Sequence, residues 1–174
     1  MWIKTSRLVS GLVALVWLLG MMLPAQASME DLQGNPKSIS DYTGKGKWTV
    51  VMFWASDCHV CNKEAQAYVD FQFMHSDEDA EILGISTDGK EKLNEAKAFV
   101  SRHNINFPNI VGESDEVAQM YTQLTGSQFV GTPSVLVFDP KGKLKAAQVG
   151  AVPTQLIEKF IKTQSLAYAQ DVGK

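Results

Sequence analysis

Apolar residues along this chain of 174 residues form two kinds of pattern, short continuous runs and stripes with helical spacing. Continuous runs bounded by turn residues predict buried strands. The strongest run, Trp48–Trp54, predicts a central strand covered on both faces. Apolar residues three and four positions apart predict helices with one buried side. The predicted strands are 48–54, 80–86, 134–139 and 144–150, with a short apolar segment at 107–111. The predicted helices cover about 58–74, 90–103 and 115–124, and a last helix begins at Pro153.

The order of these elements predicts an α/β domain. Strands alternate with helices at first, and the last two strands follow each other as a hairpin across the turn Asp139–Gly142. This order implies a mixed central sheet with helices on both faces. The residues expected to face the core are Cys61, Ala65, Tyr68 and either Phe71 or Gln72 in the first helix, and Leu156, Ile157, Phe160 and Ile161 in the last.

The first 27 residues have the pattern of an export signal peptide. Lys4 and Arg7 precede an apolar stretch, 8–23, which is followed by the small-residue site Ala25–Ala27. Cleavage there would leave one domain at 28–174. The alternative is an uncleaved anchor, but the 16-residue stretch is shorter than the roughly 20 residues that span a bilayer. We therefore expect a periplasmic protein, or one anchored with its domain facing the periplasm.

Composition limits the classes of partner. Without residues 1–27 the chain carries 14 Lys and Arg against 19 Asp and Glu, and this acidic balance argues against a nucleic-acid partner. The remaining 147 residues suit one globular domain, which can bury most of its unfolded surface without disulfide staples.

Cys58 and Cys61, the only cysteines, stand where the strand 48–54 gives way to a helix. A disulfide that closes so short a loop restricts the unfolded chain very little, so it has almost no stabilising role. A helix N-terminus offers free N–H groups and partial positive charge to a thiolate. The pair therefore points to thiol chemistry, with Cys58 exposed as the nucleophile and Cys61, one turn inward, as the resolving thiol.

Three motifs carry a resemblance to a known family. They are FWAS-x-C-x-x-C-x-x-E at Phe53–Glu64, the tripeptide Gly131–Pro133, and Leu32-x-Gly34 followed by Ile39–Tyr42. With them the chain resembles the thioredoxin fold and, within it, the exported thiol-disulfide reductases that include TlpA, ResA and the cytochrome c maturation thioredoxins. The resemblance implies a thioredoxin fold with an N-terminal hairpin, and a cis peptide bond before Pro133.

The resemblance also implies roles for other residues. Glu64 lies three residues after Cys61, on the same helical face. The resemblance implies that it replaces the buried aspartate of ordinary thioredoxins, whose position is Met52 here, and exchanges the proton of Cys61. The alternative is a solvated helix glutamate. The Thr132–Pro133 loop would present its backbone to an extended substrate. Separately from the resemblance, we expect Trp54 to be a core residue and a wall of the substrate site.

Two positions beside the cysteines depart from that family. An aromatic residue usually precedes the first cysteine and a proline often precedes the second, whereas this chain has Asp57 and Val60. Asp57 could cap the helix by accepting its first N–H groups, which are the donors that would stabilise a Cys58 thiolate. His59 would favour that thiolate only when protonated. We expect the aspartate to dominate above neutral pH and to make the couple more reducing.

These observations predict an exported thiol-disulfide oxidoreductase that reduces disulfides in other exported proteins. We expect a monomer without a bound cofactor, supplied with electrons by a membrane dithiol protein. Its place in cytochrome c maturation or in general envelope redox chemistry stays open. A peroxiredoxin-type peroxidase lacks support, because Ala55 stands where that chemistry needs a threonine. The alternative class is a copper or zinc carrier that uses Cys58, Cys61 and a histidine.

Overall fold

The computed structural model describes residues 29–172, so the predicted export signal lies outside the described residues. Within this range the chain forms seven strands, four α-helices and a short 3-10 turn at Ile39–Asp41. The strands are β1 (Met29–Asp31), β2 (Pro36–Lys37), β3 (Trp48–Trp54), β4 (Ala80–Ser86), β5 (Asn109–Val111), β6 (Ser134–Phe138) and β7 (Leu144–Val149), and the helices are α1 (His59–His75), α2 (Leu93–Arg102), α3 (Ser114–Thr125) and α4 (Thr154–Val172).

The seven strands form one sheet in the order β2-β1-β5-β4-β3-β6-β7. β3 lies parallel to β4 and antiparallel to β6, and β6 pairs with β7 as an antiparallel hairpin. The mixed sheet and the hairpin predicted from the sequence are therefore confirmed. Because β3 has a strand on each side and helices over both faces, all seven of its residues are buried.

Each face of the sheet carries its own core, because successive side chains of a strand point to opposite faces. Val50, Met52 and Trp54 of β3 pack with residues of α1, α2 and α4. Val51 and Phe53 pack with residues of α3. The prediction of helices on both faces is confirmed, and α1, which carries the second cysteine, shares a face with Met52 and Trp54.

Two details of the helices differ from the sequence prediction. Leu156, expected to face the core, is 58% exposed, whereas its neighbour Ile157 is buried. Adjacent helical residues are about 100° apart around the axis, so only one of the two can lie at the centre of the buried stripe. α2 begins at Leu93 rather than at residue 90, because the preceding residues form a turn in which the Lys90 N–H donates to the Glu113 carboxylate at 3.0 Å.

The N-terminal hairpin implied by the resemblance is present. β1 pairs antiparallel with β2 on one side and with β5 on the other. Its turn is closed by Asp31, whose Oδ1 accepts the N–H groups of Gln33 and Asn35, each at 2.9 Å. Within residues 29–172, none of the helices is long and apolar enough to cross a membrane.

Three strand ends meet at one edge of the sheet. β3 and β4 run parallel and end together at Trp54 and Ser86. β6 runs the opposite way and begins at the same edge, with Ser134 opposite Phe53. The loops after β3 and β4 and the loop before β6 therefore lie side by side, which brings the cysteine motif next to the predicted cis proline.

Candidate active site

Cys58 and Cys61 form a disulfide at the N-terminus of α1, with a Cα–Cα distance of 5.3 Å. Cys58 is the N-cap residue: its backbone is extended (φ −72°, ψ 108°), and its Sγ accepts the N–H of Cys61 at 3.1 Å. Cys58 is partly exposed, whereas Cys61 is fully buried. The pair therefore has the unequal exposure expected of an attacking and a resolving cysteine, and the first sulfur lies at the positive end of the helix dipole.

The loop before β6 contains a cis peptide bond between Thr132 and Pro133, as the resemblance implied. The next residue, Ser134, pairs with Phe53 of β3, and paired strands lie about 4.8 Å apart. The Pro133 carbonyl accepts the N–H of Gly150 at 2.9 Å. Thr132 is partly exposed, and it lies beside the point where the chain leaves β3 toward the disulfide.

Glu64 follows Cys61 by one turn of α1 and turns one side of its carboxylate inward. Its Oε2 is buried and has no hydrogen-bond partner among residues 29–172. Burial raises the pKa of Glu64 above its ordinary value, because desolvation disfavours the charged form. Burial, followed by the charge of Glu64, also raises the pKa of Tyr68. Glu64 is therefore not the fully solvated glutamate of the alternative interpretation.

Trp54, predicted to be a core residue and a wall of the substrate site, lies in the core of the described structure. Only 1% of the residue is exposed. Its ring stacks on Phe99 of α2 with centroids 4.2 Å apart, and its Nε1 donates to Oδ1 of Asn109 at 3.0 Å. A buried tryptophan needs such a partner for its N–H. Trp54 supports the start of the cysteine loop from within the core.

Asp57 does not cap α1, contrary to the expectation from the sequence. The N-cap is Cys58, whose own sulfur takes an N–H of the first turn. The exposed carboxylate of Asp57 pairs with Lys92 instead, with Oδ2 3.3 Å from Nζ. Asp57 can therefore act on Cys58 only through its charge, and Lys92 reduces that effect. His59 lies exposed in the same first turn.

Sequence reasoning missed the side chains that hold the cysteine loop in place. On one side, the carboxylate of Asp88, from the loop after β4, accepts the N–H and the hydroxyl of Ser56, each at 3.0 Å. On the other side, the side chain of Asn62 contacts the loop and is itself contacted by Arg102 and His103. These last pairs are 40 and 41 positions apart in sequence. Only the packing of α2 beside α1 brings them together, so no local signal could have found them.

The donors that the sequence offers for a metal do not converge in the described part of the chain. Among residues 29–172, no three His, Cys, Asp or Glu side chains lie close enough to hold a metal ion. The two sulfurs are bonded to each other. The metal-carrier alternative therefore has no third ligand in this arrangement.

Comparison with known proteins adds to this geometry. Residues 20–147 match the family model described as the AhpC/TSA family. Sporulation thiol-disulfide oxidoreductase A of Bacillus subtilis (strain 168) is 21% identical over 139 residues, which are 79% of this chain and 79% of that protein. Peroxiredoxin Bcp of the same organism is 29% identical over 118 residues, which are 64% of this chain and 72% of that protein.

Solved structures show the same fold. The thioredoxin domain of a thiol-disulfide oxidoreductase from Bacteroides vulgatus is 27% identical, covering 77% of this chain and 91% of its own, with a TM-score of 0.62. A secreted Mycobacterium tuberculosis disulfide oxidoreductase, described as homologous to E. coli DsbE, is 20% identical, covering 79% of this chain and 96% of its own, with a TM-score of 0.61. The thioredoxin fold and the family resemblance drawn from the three motifs are confirmed.

Proposed function

The chain belongs to the AhpC/TSA family and is a thiol-disulfide oxidoreductase with the Cys58–Cys61 pair, and from this premise we propose that it is exported and reduces disulfides in other exported proteins. The observation that carries the proposal is the unequal exposure of the pair. Cys58 reaches solvent, whereas Cys61 is buried. A client disulfide can meet only the first sulfur, so attack and release fall to different cysteines.

The reaction starts from the reduced pair. The Cys58 thiolate attacks one sulfur of a client disulfide, the client S–S bond breaks, and the other client sulfur leaves as a thiolate and takes up a proton. Cys61 then loses its proton and attacks Cys58 Sγ, which forms the Cys58–Cys61 bond and releases the second client thiolate. Two electrons have passed to the client, and the enzyme has reached the disulfide form described above.

Glu64 takes the proton of Cys61 in this scheme. A buried thiol cannot pass its proton directly to bulk water, and Glu64 projects from the same face of α1 one turn later. The raised pKa of Glu64 lies closer to the pKa of a thiol, which makes proton transfer from Cys61 to Glu64 feasible near neutral pH. A dithiol protein, proposed to be membrane-embedded, then returns two electrons, and no bound cofactor is required.

The client is held as an extended segment against the backbone of Thr132. The support for this step is the partial exposure of Thr132 beside the end of β3. Backbone pairing of this kind is tolerant of sequence. It suits an enzyme that acts on more than one client.

Export is supported by the signal pattern of residues 1–27 and by the secreted relative from M. tuberculosis. We propose cleavage after Ala27 and action of the monomeric domain in the periplasm. The proposal covers cytochrome c maturation and general envelope redox chemistry alike, because both use the same exchange step.

Glu64→Gln is expected to slow insulin reduction about 100-fold near neutral pH, because it removes the proton acceptor for Cys61 and keeps the side-chain shape. The pH dependence of the rate should also flatten where Glu64 titrates. Glu95→Gln, at an exposed position in the first turn of α2, is the matched control and should keep the wild-type rate. An unchanged rate and pH profile in Glu64→Gln would remove Glu64 from the mechanism.

The same variant should show a pH effect on stability with a definite sign. The pKa of Glu64 is raised in the fold, so its contribution to stability is full at low pH and is lost as the pH rises through the folded pKa. Urea unfolding at about pH 4 and about pH 8 should therefore show Glu64→Gln gaining stability relative to the wild type at the higher pH. A difference that does not change with pH would contradict the burial of the carboxyl.

Asp57→Asn is expected to raise the alkylation rate of Cys58 at neutral pH about two- to threefold, because it removes a negative charge beside the thiolate. Lys92→Ala should lower the rate by a similar factor, since it leaves that charge uncompensated. Asp77→Asn makes the same change beyond the far end of the 17-residue α1, about 25 Å away, and serves as the control. If all three variants react with iodoacetamide at the wild-type rate at low salt, the charge of Asp57 does not influence the Cys58 thiolate.

The proposed function is tested with the purified protein, freed of metal by a chelator and supplied with dithiothreitol. We expect it to accelerate the reduction of insulin disulfides and to leave hydrogen peroxide at the background rate, because Ala55 offers no hydroxyl near Cys58. Peroxide consumption without insulin reduction would replace the proposal with a peroxidase. Equimolar copper or zinc retained after purification under reducing conditions, before the chelator is added, together with no insulin reduction, would replace it with a metal carrier.

A further inference from the structure

Asn62, in the first turn of α1, links the cysteine loop to the end of α2. Its Nδ2 donates to the carbonyls of Ser56 at 3.1 Å and Cys58 at 2.9 Å. Its Oδ1 accepts from Nη2 of Arg102 at 3.1 Å and from Nε2 of His103 at 2.9 Å. An asparagine side chain has two N–H donors and an oxygen with two lone pairs. Every hydrogen-bonding position of Asn62 is therefore used.

The partners of Asn62 fix the orientation of its amide. The reverse orientation would place N–H donors against the Arg102 guanidinium and an oxygen against the carbonyls of Ser56 and Cys58, so the side-chain hydrogen bonds to these three residues would be lost. The same contacts require a proton on Nε2 of His103, a tautomer assigned from this network. Because Arg102 is charged, its hydrogen bond to Oδ1 increases the polarity of the amide and strengthens the two bonds that Nδ2 donates.

These bonds hold the backbone on both sides of Asp57. The carbonyl of Cys58 already accepts the backbone N–H of Asn62 at 3.0 Å, as a regular helical bond. The side chain adds a second hydrogen bond there and extends the contact to Ser56, outside the helix. Asp88 holds the N–H of Ser56 from the opposite side. The loop that carries the reactive sulfur is thus clamped between α2 and the loop after β4.

We propose that Asn62, held by Arg102 and His103, is a positioning residue for disulfide exchange: it fixes the backbone of Ser56–Cys58 so that the Cys58 sulfur stays at the helix N-terminus and meets a client disulfide in line. The inference rests on the proposed function and deepens it. Displacing a reacting atom by 1 Å can cost about 100-fold in rate. A neutral amide suits this place, because a carboxylate would lack the donors and add a negative charge beside the thiolate.

Paired variants test the two ends of the amide. Asn62→Ala removes all four bonds, and His103→Ala removes one support of Oδ1, whereas His103→Gln can still donate to it. For each reduced protein we measure kcat and KM for insulin reduction and the iodoacetamide alkylation rate of Cys58 against pH. Lys63→Ala, exposed in the same helical turn, is the control.

We expect Asn62→Ala to lower kcat about tenfold with KM within about twofold, because the substrate contacts remain and only the attack geometry is lost. The midpoint of its alkylation profile should rise by about half a pH unit, since the sulfur is held less firmly at the helix end. His103→Ala should lower kcat about threefold, and His103→Gln should return it to near the wild-type value. Lys63→Ala should match the wild type in both measurements.

An Asn62→Ala protein with unchanged kcat and an unchanged alkylation profile would overturn the positioning role, and so would a His103→Gln protein that loses as much as His103→Ala. If urea unfolding shows that Asn62→Ala does not fold, the His103 pair decides the question. A wild-type protein that fails to reduce insulin would instead overturn the proposed function. The alkylation profile needs no client and would still report on Asn62.

Discussion

Cys61→Ala is expected to stop the reaction at the mixed disulfide, with the client covalently bound to Cys58. The chain has only these two cysteines, so no other thiol of this protein can release the client once Cys61 is gone. Insulin turnover should fall about 1,000-fold or more. A band at the combined mass of the Cys61→Ala protein and its client should appear on a non-reducing gel and disappear with dithiothreitol. Mass spectrometry of that band would identify the client.

Cys58→Ala is the matched control for this capture. It leaves only Cys61, which is 0% exposed and cannot reach a client disulfide. We expect neither turnover nor capture. If Cys58→Ala captured the same proteins, Cys61 would be the attacking thiol and the order of steps would be reversed. A Cys61→Ala protein with wild-type turnover would exclude a mechanism that uses both cysteines.

Gly84→Ala, in β4, is expected to lower the free energy of unfolding by about 3 kcal/mol, and urea unfolding of the oxidised protein measures it. A Cβ at this position would lie 1.9 Å from Oδ1 of Asn109 and 2.9 Å from Nε1 of Trp54. These two atoms share a buried hydrogen bond of 3.0 Å. Neither can move aside without leaving a polar group unpaired in the core.

Measuring Gly84→Ala in an Asn109→Ala protein shows whether the cost comes from the clash with Asn109 or from any side chain at position 84. Without the Asn109 side chain the nearest obstacle is absent, so Gly84→Ala should cost less there than in the wild type. If the losses of unfolding free energy from Gly84→Ala and Asn109→Ala add in the double variant, the strand shifts to accept the methyl group. The hydrogen bond to Trp54 would then not fix the position of β4.

The sheet and the cysteine helix could be predicted closely because their signals are local. The run Trp48–Trp54 matches β3 to the residue, and α1 begins one position after the predicted start. The exposure of Cys58 and the burial of Cys61 follow from the same local pattern, because the two lie one helical turn apart. A hydrophobic run or a helical stripe needs no knowledge of distant parts of the chain.

The sequence was a weaker guide where distant residues decide the environment of a side chain. Aspartate is a favoured N-cap residue, but the backbone turns into α1 one position later, at Cys58, and Lys92 attracts the free carboxylate. Trp54 adjoins the cysteine loop in sequence, yet Phe99 and Asn109 enclose it. Neither partner set exists until α2 and β5 have packed against the sheet.

Cys61 belongs to the same packed cluster as Trp54 and Phe99. Opening the disulfide therefore changes a bond within the core. A thermodynamic cycle relates the stability of the fold to the free energy of disulfide reduction. The difference in unfolding free energy between the oxidised and reduced protein equals the difference in the free energy of reduction between the folded and unfolded chain. A substitution in this cluster that destabilises the oxidised and the reduced protein by different amounts therefore changes the driving force for electron transfer, however far it lies from a client.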